Sequence, residues 1–580
     1  MRTIRQNVFG LTGSILACAF LVAGSAGPAG GQSPGAPVGS DRPAWKQIDA
    51  ARILENTKVL ASDEFEGRAP ASKGEEMTTA FLEAQFKKLG LEPGNPDGSY
   101  FQNVPMVGIT ADPSAQLVFA QTGTGNKLTL KYADEFVART ELEQPEVSVN
   151  AELLFVGYGV VAPEYQWDDY KGVDVKGKML VMLVNDPPVP DPKDPSKRDE
   201  TMFKGRAMTY YGRWTYKYEV AAKLGAAGCL VIHETGPAGY PWGVVKSSNT
   251  GEQFDLVTTD QAIPRNAVEG WISYDKAKAL FAMGGKDLEA LKKAAVDRNF
   301  QPVPLGASAS LTLKNSIRQI ESKNMVARLV GNDPKLRDEY VVYTAHWDHF
   351  GIGAPINGDK VYHGAVDNAS GVAGVLEIAR AFTRIQPQSR RSILFLFVTG
   401  EEKGLLGSRY YAEHPLYPLN KTLAVINVDG LNVHGATRDI TVVGLGMSTL
   451  DKYVKAVAAG QGRVVKPDPE PEKGSYFRSD HFNFAKQGVP ALDAGAGVEY
   501  IGKPKGWGLQ MREKYTEEDY HKPSDRVKPD WDLSGAVEDL RLLGEIGYRV
   551  ANAAAYPAWY PGAEFKAKRE ARVKAVTSDK

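Results

Sequence analysis

The feature that most constrains the fold is a series of short apolar runs in the second half of the chain, alternating with helical patterns. Strands are predicted over Glu339 to Thr344, Ser392 to Val398 and Leu423 to Val428, and helices over Val372 to Phe382 and Leu405 to Glu413. This alternation is typical of βαβ units. It predicts an α/β fold: a doubly wound, mostly parallel sheet with helices on both faces, and a site beyond the carboxyl ends of its strands.

Side chains that can bind a metal ion follow the ends of these predicted strands. His346 follows the first strand, and Asp348 stands where it can orient His346 through the other ring nitrogen. Glu401 and Glu402 follow the second strand, and Asp429 follows the third. Two adjacent carboxylates at the exit of a buried strand repel each other. A metal ion on one and a proton on the other would offset that cost.

Two further candidates lie outside the strand ends. Asp367 stands in a small-residue turn that opens a predicted helix, and His521 lies in a turn far downstream. Taken singly, each has an ordinary explanation as a helix cap or a polar loop residue. Taken with His346, Asp429 and one of the adjacent pair Glu401 and Glu402, they give two histidines and three carboxylates, which suffice to hold two zinc ions with one shared carboxylate.

The order of these motifs resembles the co-catalytic two-zinc aminopeptidase family, which also includes glutamate carboxypeptidase-like enzymes. The resemblance covers roughly Pro43 to Ala553. The motifs that carry it are His346 to Asp348, Asp367 to Gly371, Glu401 with Glu402, Asn427 to Asp429, Ser479 to Pro490, Tyr520 to Asp525 and the early segment Ser62 to Arg68.

The resemblance implies a role for each ligand position. It makes His346 and Asp429 ligands of one zinc ion and Glu402 and His521 ligands of the other, with Asp367 bridging both.

The resemblance also implies roles for residues beside the metals. Glu401 becomes the general base, Asp348 the orienting residue and Tyr520 the residue that steadies the oxyanion. A cis peptide is expected between Asp367 and Asn368. One departure is His349, which stands where many relatives carry Ser and is a competing ligand candidate.

The first part of the chain carries other signals. Arg2 and Arg5 precede an apolar run from Val8 to Ala23, followed by small residues, which is the layout of a secretory signal peptide. An uncleaved membrane anchor is the alternative. We therefore expect an exported protein, periplasmic or extracellular, with no stable membrane span after cleavage. Cleavage would leave Cys229 as the one thiol, and its apolar surroundings predict a buried structural cysteine.

Between the signal and the peptidase motifs, the segments Val175 to Val181 and Ala221 to Ile232 resemble parts of an inserted protease-associated domain, a small β-rich α/β module. The last residues are charged and are predicted to be a solvated helix or a disordered end. The predicted segments are a signal peptide (1–26), a leader (27–42), the N-terminal part of the peptidase domain (43–112), the inserted domain (113–305), the metallopeptidase domain (306–560) and a charged tail (561–580).

The bulk charge gives no sign of a nucleic-acid partner, because 69 basic and 70 acidic residues leave a formal net charge of −1. The interpretation we favour is a zinc exopeptidase that removes N-terminal residues from peptides, with two Zn²⁺ per chain. A carboxypeptidase or dipeptidase with the same metals, a glutaminyl cyclase-like enzyme and an inert receptor-like relative remain as alternatives. The group that selects the substrate end, a carboxylate for an amine or Arg/Lys for a carboxylate, stays open, as do the oligomeric state and the natural substrate.

Overall fold

The computed structural model describes residues 42–257 and 264–578 of the 580-residue chain. The predicted signal peptide (1–26) and all but the last residue of the predicted leader (27–42) lie outside the described residues. Within the described part of the chain, every helix is too short or too polar to cross a membrane.

A mixed sheet forms the centre of the peptidase part, and its middle strands are parallel, as predicted. The strand Ser392–Val398 is buried along its whole length, the pattern expected of a parallel strand that is covered on both faces. From one edge, the strands are Glu92–Pro93, Val303–Leu329, Ser392–Val398, Tyr340–His346, Thr422–Asn427, Ala491–Ala496, Asp439–Val443 and Val464–Pro467.

Alternate side chains of each central strand enter different hydrophobic cores. Both faces of this sheet are therefore covered by helices. Val341 and Tyr343 pack in one hydrophobic cluster, and Tyr340 and Val342 pack in another. The predicted doubly wound α/β architecture is therefore confirmed. The helices of this part are Pro43–Lys46, Ala50–Leu60, Lys73–Leu89, Gly371–Phe382, Leu406–Glu413, Leu450–Gly460, His481–Lys486, Trp507–Glu518, Ser534–Asn552 and Lys566–Ser578.

The tail forms a helix, Lys566–Ser578, as one of the two predicted possibilities, but its start is packed instead of solvated. Phe565 is buried in one of the two cores, and Arg569 donates to the backbone oxygens of Leu419 and Thr422. The start of the tail therefore packs against the peptidase part, because one aromatic and one partnered Arg anchor an otherwise charged helix.

A second sheet lies mostly within the range predicted as the insert, with its own hydrophobic clusters. Cys229 is buried in it with a free thiol, as predicted. From one edge, its strands are Lys127–Lys131, Gln116–Gln121, the first part of Val303–Leu329, Glu146–Phe155, Met179–Leu183, Gly228–His233, Val268–Ser273 and Phe136–Arg139. Its helices are Trp214–Lys223, Thr235–Ala238, Trp242–Asn249, Tyr274–Met283 and Leu288–Ala294.

One strand joins the two sheets. Val303–Leu329 is 27 residues long and contributes its first part to the second sheet and its last part to the peptidase sheet. Phe101–Ala111 pairs with it and also with Glu252–Leu256, which lies inside the predicted insert range. The predicted boundary between residues 305 and 306 falls within this strand, and the division into domains stays a prediction. Two short hairpins complete the strands: Val161–Ala162 with Trp167–Asp168, and Gly351–Ile356 with Asp359–Tyr362.

Candidate metal centre and active site

Three parallel strands bring most of the predicted site to one edge of the sheet. His346 is the last residue of its strand, Asp429 stands two residues beyond Thr422–Asn427, and Glu401 follows Ser392–Val398 after a two-residue turn. Gly400 makes that turn with a φ of 63°, a left-handed conformation that glycine adopts without cost. The chain therefore reverses at the strand exit, so that Glu401 and Glu402 lie at the same edge as the other ligands.

Asp367 lies between the two histidines. Its Oδ1 is 3.2 Å from His346 Nε2, and its Oδ2 is 3.4 Å from His521 Nε2. The Asp367–Asn368 peptide is cis, at the place that the resemblance implied. One carboxylate thus faces two imidazoles with one oxygen each, which is the arrangement that a bridging ligand requires.

The other ligand candidates complete two lobes around Asp367. Asp429 Oδ1 lies 3.2 Å from His346 Nε2, and Glu402 Oε2 lies 3.1 Å from His521 Nε2. These contacts pair the residues as the resemblance implied. All five predicted ligands are thereby brought together.

By mutual distance alone, the donor atoms form two overlapping groups that share His346. Within 4.8 Å of one another lie one atom each of His346, Asp367 and Glu402, and one atom each of His346, Glu401 and Asp429. His346 belongs to both groups because its Nε2 lies near the middle of the site, close to Asp367, Glu401 and Asp429. The direct contacts and the distance groups both leave the described residues able to surround metal ions here.

The charge of the site also fits bound cations. Asp348, Asp367, Glu401 and Glu402 crowd a small volume, and Asp480 lies behind them with both carboxylate oxygens buried and lacking hydrogen-bond partners. Burial is the main cause that raises the pKa of Asp348 and of Asp480 to about 7. Such an excess of buried carboxylates is stabilised by protons or by cations, and two divalent ions would supply the missing positive charge.

Burial opposes a charge on either histidine, but the carboxylates outweigh it. Glu401 and Asp429 raise the pKa of His346 well above its usual value, and Glu402 with Asp367 raises that of His521 to about 9. The site therefore favours positive charge at both imidazoles, which a metal ion on Nε2 would provide in place of a proton.

Glu401 is placed for proton transfer. Its Oε2 is 3.9 Å from His346 Nε2, and its side chain lines the open cavity beside the metal site. Burial, followed by the charges of Asp429 and Glu402, raises its pKa well above that of an ordinary Glu, although His346 opposes the shift. A carboxylate of raised pKa next to a metal site has the properties of a general base.

Asp348 supports the site in a different way from the predicted one. The ring nitrogen His346 Nδ1 lies 3.1 Å from the backbone oxygen of Asp348 and 3.8 Å from its carboxylate. The carboxylate instead accepts the backbone N–H of Glu401 at 3.1 Å. Asp348 therefore orients both His346 and Glu401, using a different group for each.

Buried polar residues hold the loops that carry the ligands. Arg68, 1% exposed, donates to four backbone oxygens, including those of Trp347 and Gly364 on either side of the site. Asp525 accepts the backbone N–H groups of Val366 and Asp367. These contacts fix the Asp367 loop against the His346 loop.

Three residues surround the His521 side of the site. His349 Nδ1 lies 2.5 Å from Glu402 Oε1, so His349 and His521 face different carboxylate oxygens of Glu402. The Tyr520 ring stacks on the His521 ring at a centroid distance of 3.7 Å and lines the cavity. Ser248 Oγ, from the helix Trp242–Asn249, lies 3.0 Å from His521 Nδ1. Sequence reasoning missed Ser248, because nothing near it in the sequence marks it as a site residue.

A cavity of about 610 Å³ leads from this site into the space between the two sheets. The peptidase part contributes Glu401, Tyr520 and Arg478 to its wall, and the second sheet's part contributes Arg213 and Tyr240. A volume of this size is typical of a small-ligand site.

Residues 324–543 match peptidase family M28. This part of the chain belongs to that family. The predicted two-zinc metallopeptidase family is thereby confirmed, and the M28 segment contains every predicted ligand and Glu401.

Relatives of the chain carry peptidase names. The chain is 28% identical over 244 residues to leupeptin-inactivating enzyme 1 of Streptomyces exfoliatus, an alignment that covers 41% of this chain and 48% of that protein. It is 29% identical over 417 residues to a probable leucine aminopeptidase 2 of Aspergillus oryzae, covering 69% of this chain and 67% of that protein. The chain thus spans about half the length of the Streptomyces relative.

The fold is also that of a solved aminopeptidase from Aneurinibacillus sp. strain AM-1. The superposition has a TM-score of 0.50 at 18% identity and covers 87% of this chain and 95% of that one.

Proposed function

We propose that the protein is a two-zinc aminopeptidase that hydrolyses the first peptide bond of peptides with a free N-terminus. The observation that carries the proposal is the position of Asp367, which offers one carboxylate oxygen to each half of a site that contains His346 and His521. The aminopeptidase names of its relatives favour the N-terminal mode over a carboxypeptidase or dipeptidase.

His346, Asp429, Glu402 and His521 would hold the two ions, with Asp367 shared between them. Zinc bound there would lower the pKa of a water molecule and polarise the scissile carbonyl. Glu401 accepts a proton from the attacking water on its carboxylate and then donates that proton to the leaving amine. The Tyr520 hydroxyl, at the cavity wall, donates a hydrogen bond to the oxyanion that develops on the scissile carbonyl.

We also propose export of the protein through the N-terminal segment and a protease-associated identity for the part around the second sheet. The separate hydrophobic clusters of that part support the second assignment.

The test is hydrolysis of two peptides of identical sequence, one with a free N-terminus and one acetylated, before and after chelation and zinc restoration. Cleavage of the free peptide alone, abolished by chelator and restored by zinc, is the expected result. Metal-dependent cleavage of both peptides would replace the aminopeptidase with a carboxypeptidase. Failure to cleave either peptide with zinc bound would refute the peptidase proposal.

A further inference from the structure

Two arginines beside the candidate active site have no carboxylate partner in the described part of the chain. Arg213 comes from the second sheet's part, just before the helix Trp214–Lys223, and it is 8% exposed with its Nε buried and without a hydrogen-bond partner. Arg478 comes from the peptidase part, just before the helix His481–Lys486. Across residues 42–257 and 264–578, neither guanidinium has a carboxylate oxygen within 4.0 Å.

Both arginines line the cavity that opens on Glu401, Tyr520 and His521. The Arg478 guanidinium lies over the Tyr240 ring, 5.1 Å from its centroid, within hydrogen-bonding reach of Tyr520 and close enough to Glu401 for their charges to attract each other. Burial lowers the pKa of Arg213 to about 10, and the positive charge of Arg478 adds to this lowering. The two cations are therefore close enough to repel each other.

Two other arginines on the wall of the same cavity are paired with carboxylates, and Lys403 and Lys486 on that wall lie over aromatic rings. Arg139 pairs with Glu269 at 3.0 Å, and Arg409 pairs with Asp255 at 3.3 Å. Among the described residues, Arg213 and Arg478 thus place positive charge without a close carboxylate partner at the end of the cavity next to the metal site. Arg213 is buried and Arg478 half-buried. A buried cation without a partner is costly, so an anionic ligand beside Arg213 would be favoured.

We propose that Arg213 and Arg478 form a subsite for a carboxylate of the substrate, shared between the two parts of the chain. The inference rests on the proposed peptidase function and names its substrate class: short peptides with a carboxylate near the scissile bond. Guanidinium groups match carboxylates in geometry and charge, and the Tyr240 ring holds Arg478 in place. The carboxylate comes from an acidic side chain or from the C-terminus of a di- or tripeptide.

Four dipeptides distinguish these sources. Leu-Gln-amide has no carboxylate, Leu-Gln has a terminal one, Leu-Glu-amide has one after the scissile bond, and Glu-Gln-amide has one before it. We expect the zinc-loaded full chain to cleave at least one carboxylate-bearing peptide with kcat/KM about tenfold or more above Leu-Gln-amide. The peptide that gains identifies the source.

The variants R213Q and R478Q should lose this preference, measured within each variant as the ratio of kcat/KM for the carboxylate peptide to that for Leu-Gln-amide. R409Q is the matched control, because it removes a positive charge from the same cavity that Asp255 already neutralises, and it should keep the preference. If R213Q fails to fold, R478Q still tests the subsite. A wild-type chain without preference, or a preference that survives in every folded variant among R213Q and R478Q, would overturn the subsite.

Binding separates failure of the subsite from failure of the proposed function. Calorimetry on the zinc-loaded E401Q chain compares the Kd of each carboxylate peptide with that of Leu-Gln-amide, with and without R213Q. An Arg213-dependent preference in binding without any turnover by the wild type would retain the subsite and reject the peptidase. Turnover without any Arg-dependent preference in rate or binding would retain the peptidase function and reject the subsite.

Discussion

Ser248 Oγ lies 3.0 Å from Nδ1 of His521, whose Nε2 faces Asp367 and Glu402. The contact crosses from the helix Trp242–Asn249 to the proposed metal site. The partner of one imidazole nitrogen fixes the ring orientation and tautomer with which the other nitrogen binds metal. The part of the chain around the second sheet therefore helps to position a proposed ligand as well as forming the cavity wall.

Substituting Ser248 by Ala should weaken one of the two zinc sites about 10- to 100-fold, because His521 would lose the group that orients it. Competitive titration with a zinc-binding dye measures this loss. Ser247→Ala is the matched control, since Ser247 donates to Gly243 and Val244 in the same helix. Equal affinities in the two variants would exclude the positioning role.

Glu401→Gln should retain both zinc ions and lower kcat by on the order of a thousandfold, since the amide cannot accept the proton. Asp367→Asn should lose metal as well as activity, because Asp367 faces both histidines. Metal analysis after dialysis, together with kcat, separates these outcomes. Equal metal loss in both variants would mean that Glu401 is a ligand instead of the base.

Arg68→Met should lower the free energy of unfolding by at least about 3 kcal/mol, because it leaves several buried carbonyls without a donor. Denaturant unfolding measures the change. Arg526→Met is the surface control: Arg526 is 47% exposed in its side chain and pairs with Asp359 at 2.7 Å. Such a pair contributes about 1 kcal/mol or less. A loss in Arg68→Met no larger than in the control would refute the bracing role.

His481 should make the protein sensitive to acid. Burial lowers the pKa of His481 to about 3, and the ring lies edge-on to Tyr476 at 4.9 Å. The unfolded chain therefore binds a proton that the folded chain does not. The free energy of unfolding is therefore unaffected by the titration of His481 above about pH 6.5. Below that pH it falls by about 1.4 kcal/mol per pH unit, until about pH 3.

The variant His481→Phe should flatten the decline of unfolding free energy between about pH 6 and pH 4 by this amount. Denaturant unfolding at several pH values gives the slope. The surface variant His414→Gln serves as the control. An acid limb in His481→Phe as steep as that of the wild type would assign the sensitivity to other groups.

The sequence was informative where local patterns determine position. His346, Glu402 and Asp429 stand at the ends of apolar strands, and parallel strands bring such ends to one edge regardless of the rest of the chain. Arg213 and Ser248 could not be predicted in this way, because they reach the site through packing between parts far apart in the sequence. The Asp348 contact was half predicted. The residue lies beside His346 as expected, but its backbone oxygen is nearer to the His346 ring than its carboxylate is.

The 27-residue strand Val303–Leu329 has a mechanical consequence. Lids usually swing on a few loop residues that absorb the change in backbone angles. Here the connection carries ladder hydrogen bonds on both sides of the junction, so a swinging motion would have to break paired backbone. The wall that carries Arg213 and Ser248 is thus expected to keep its position relative to the metal site while a substrate binds and leaves.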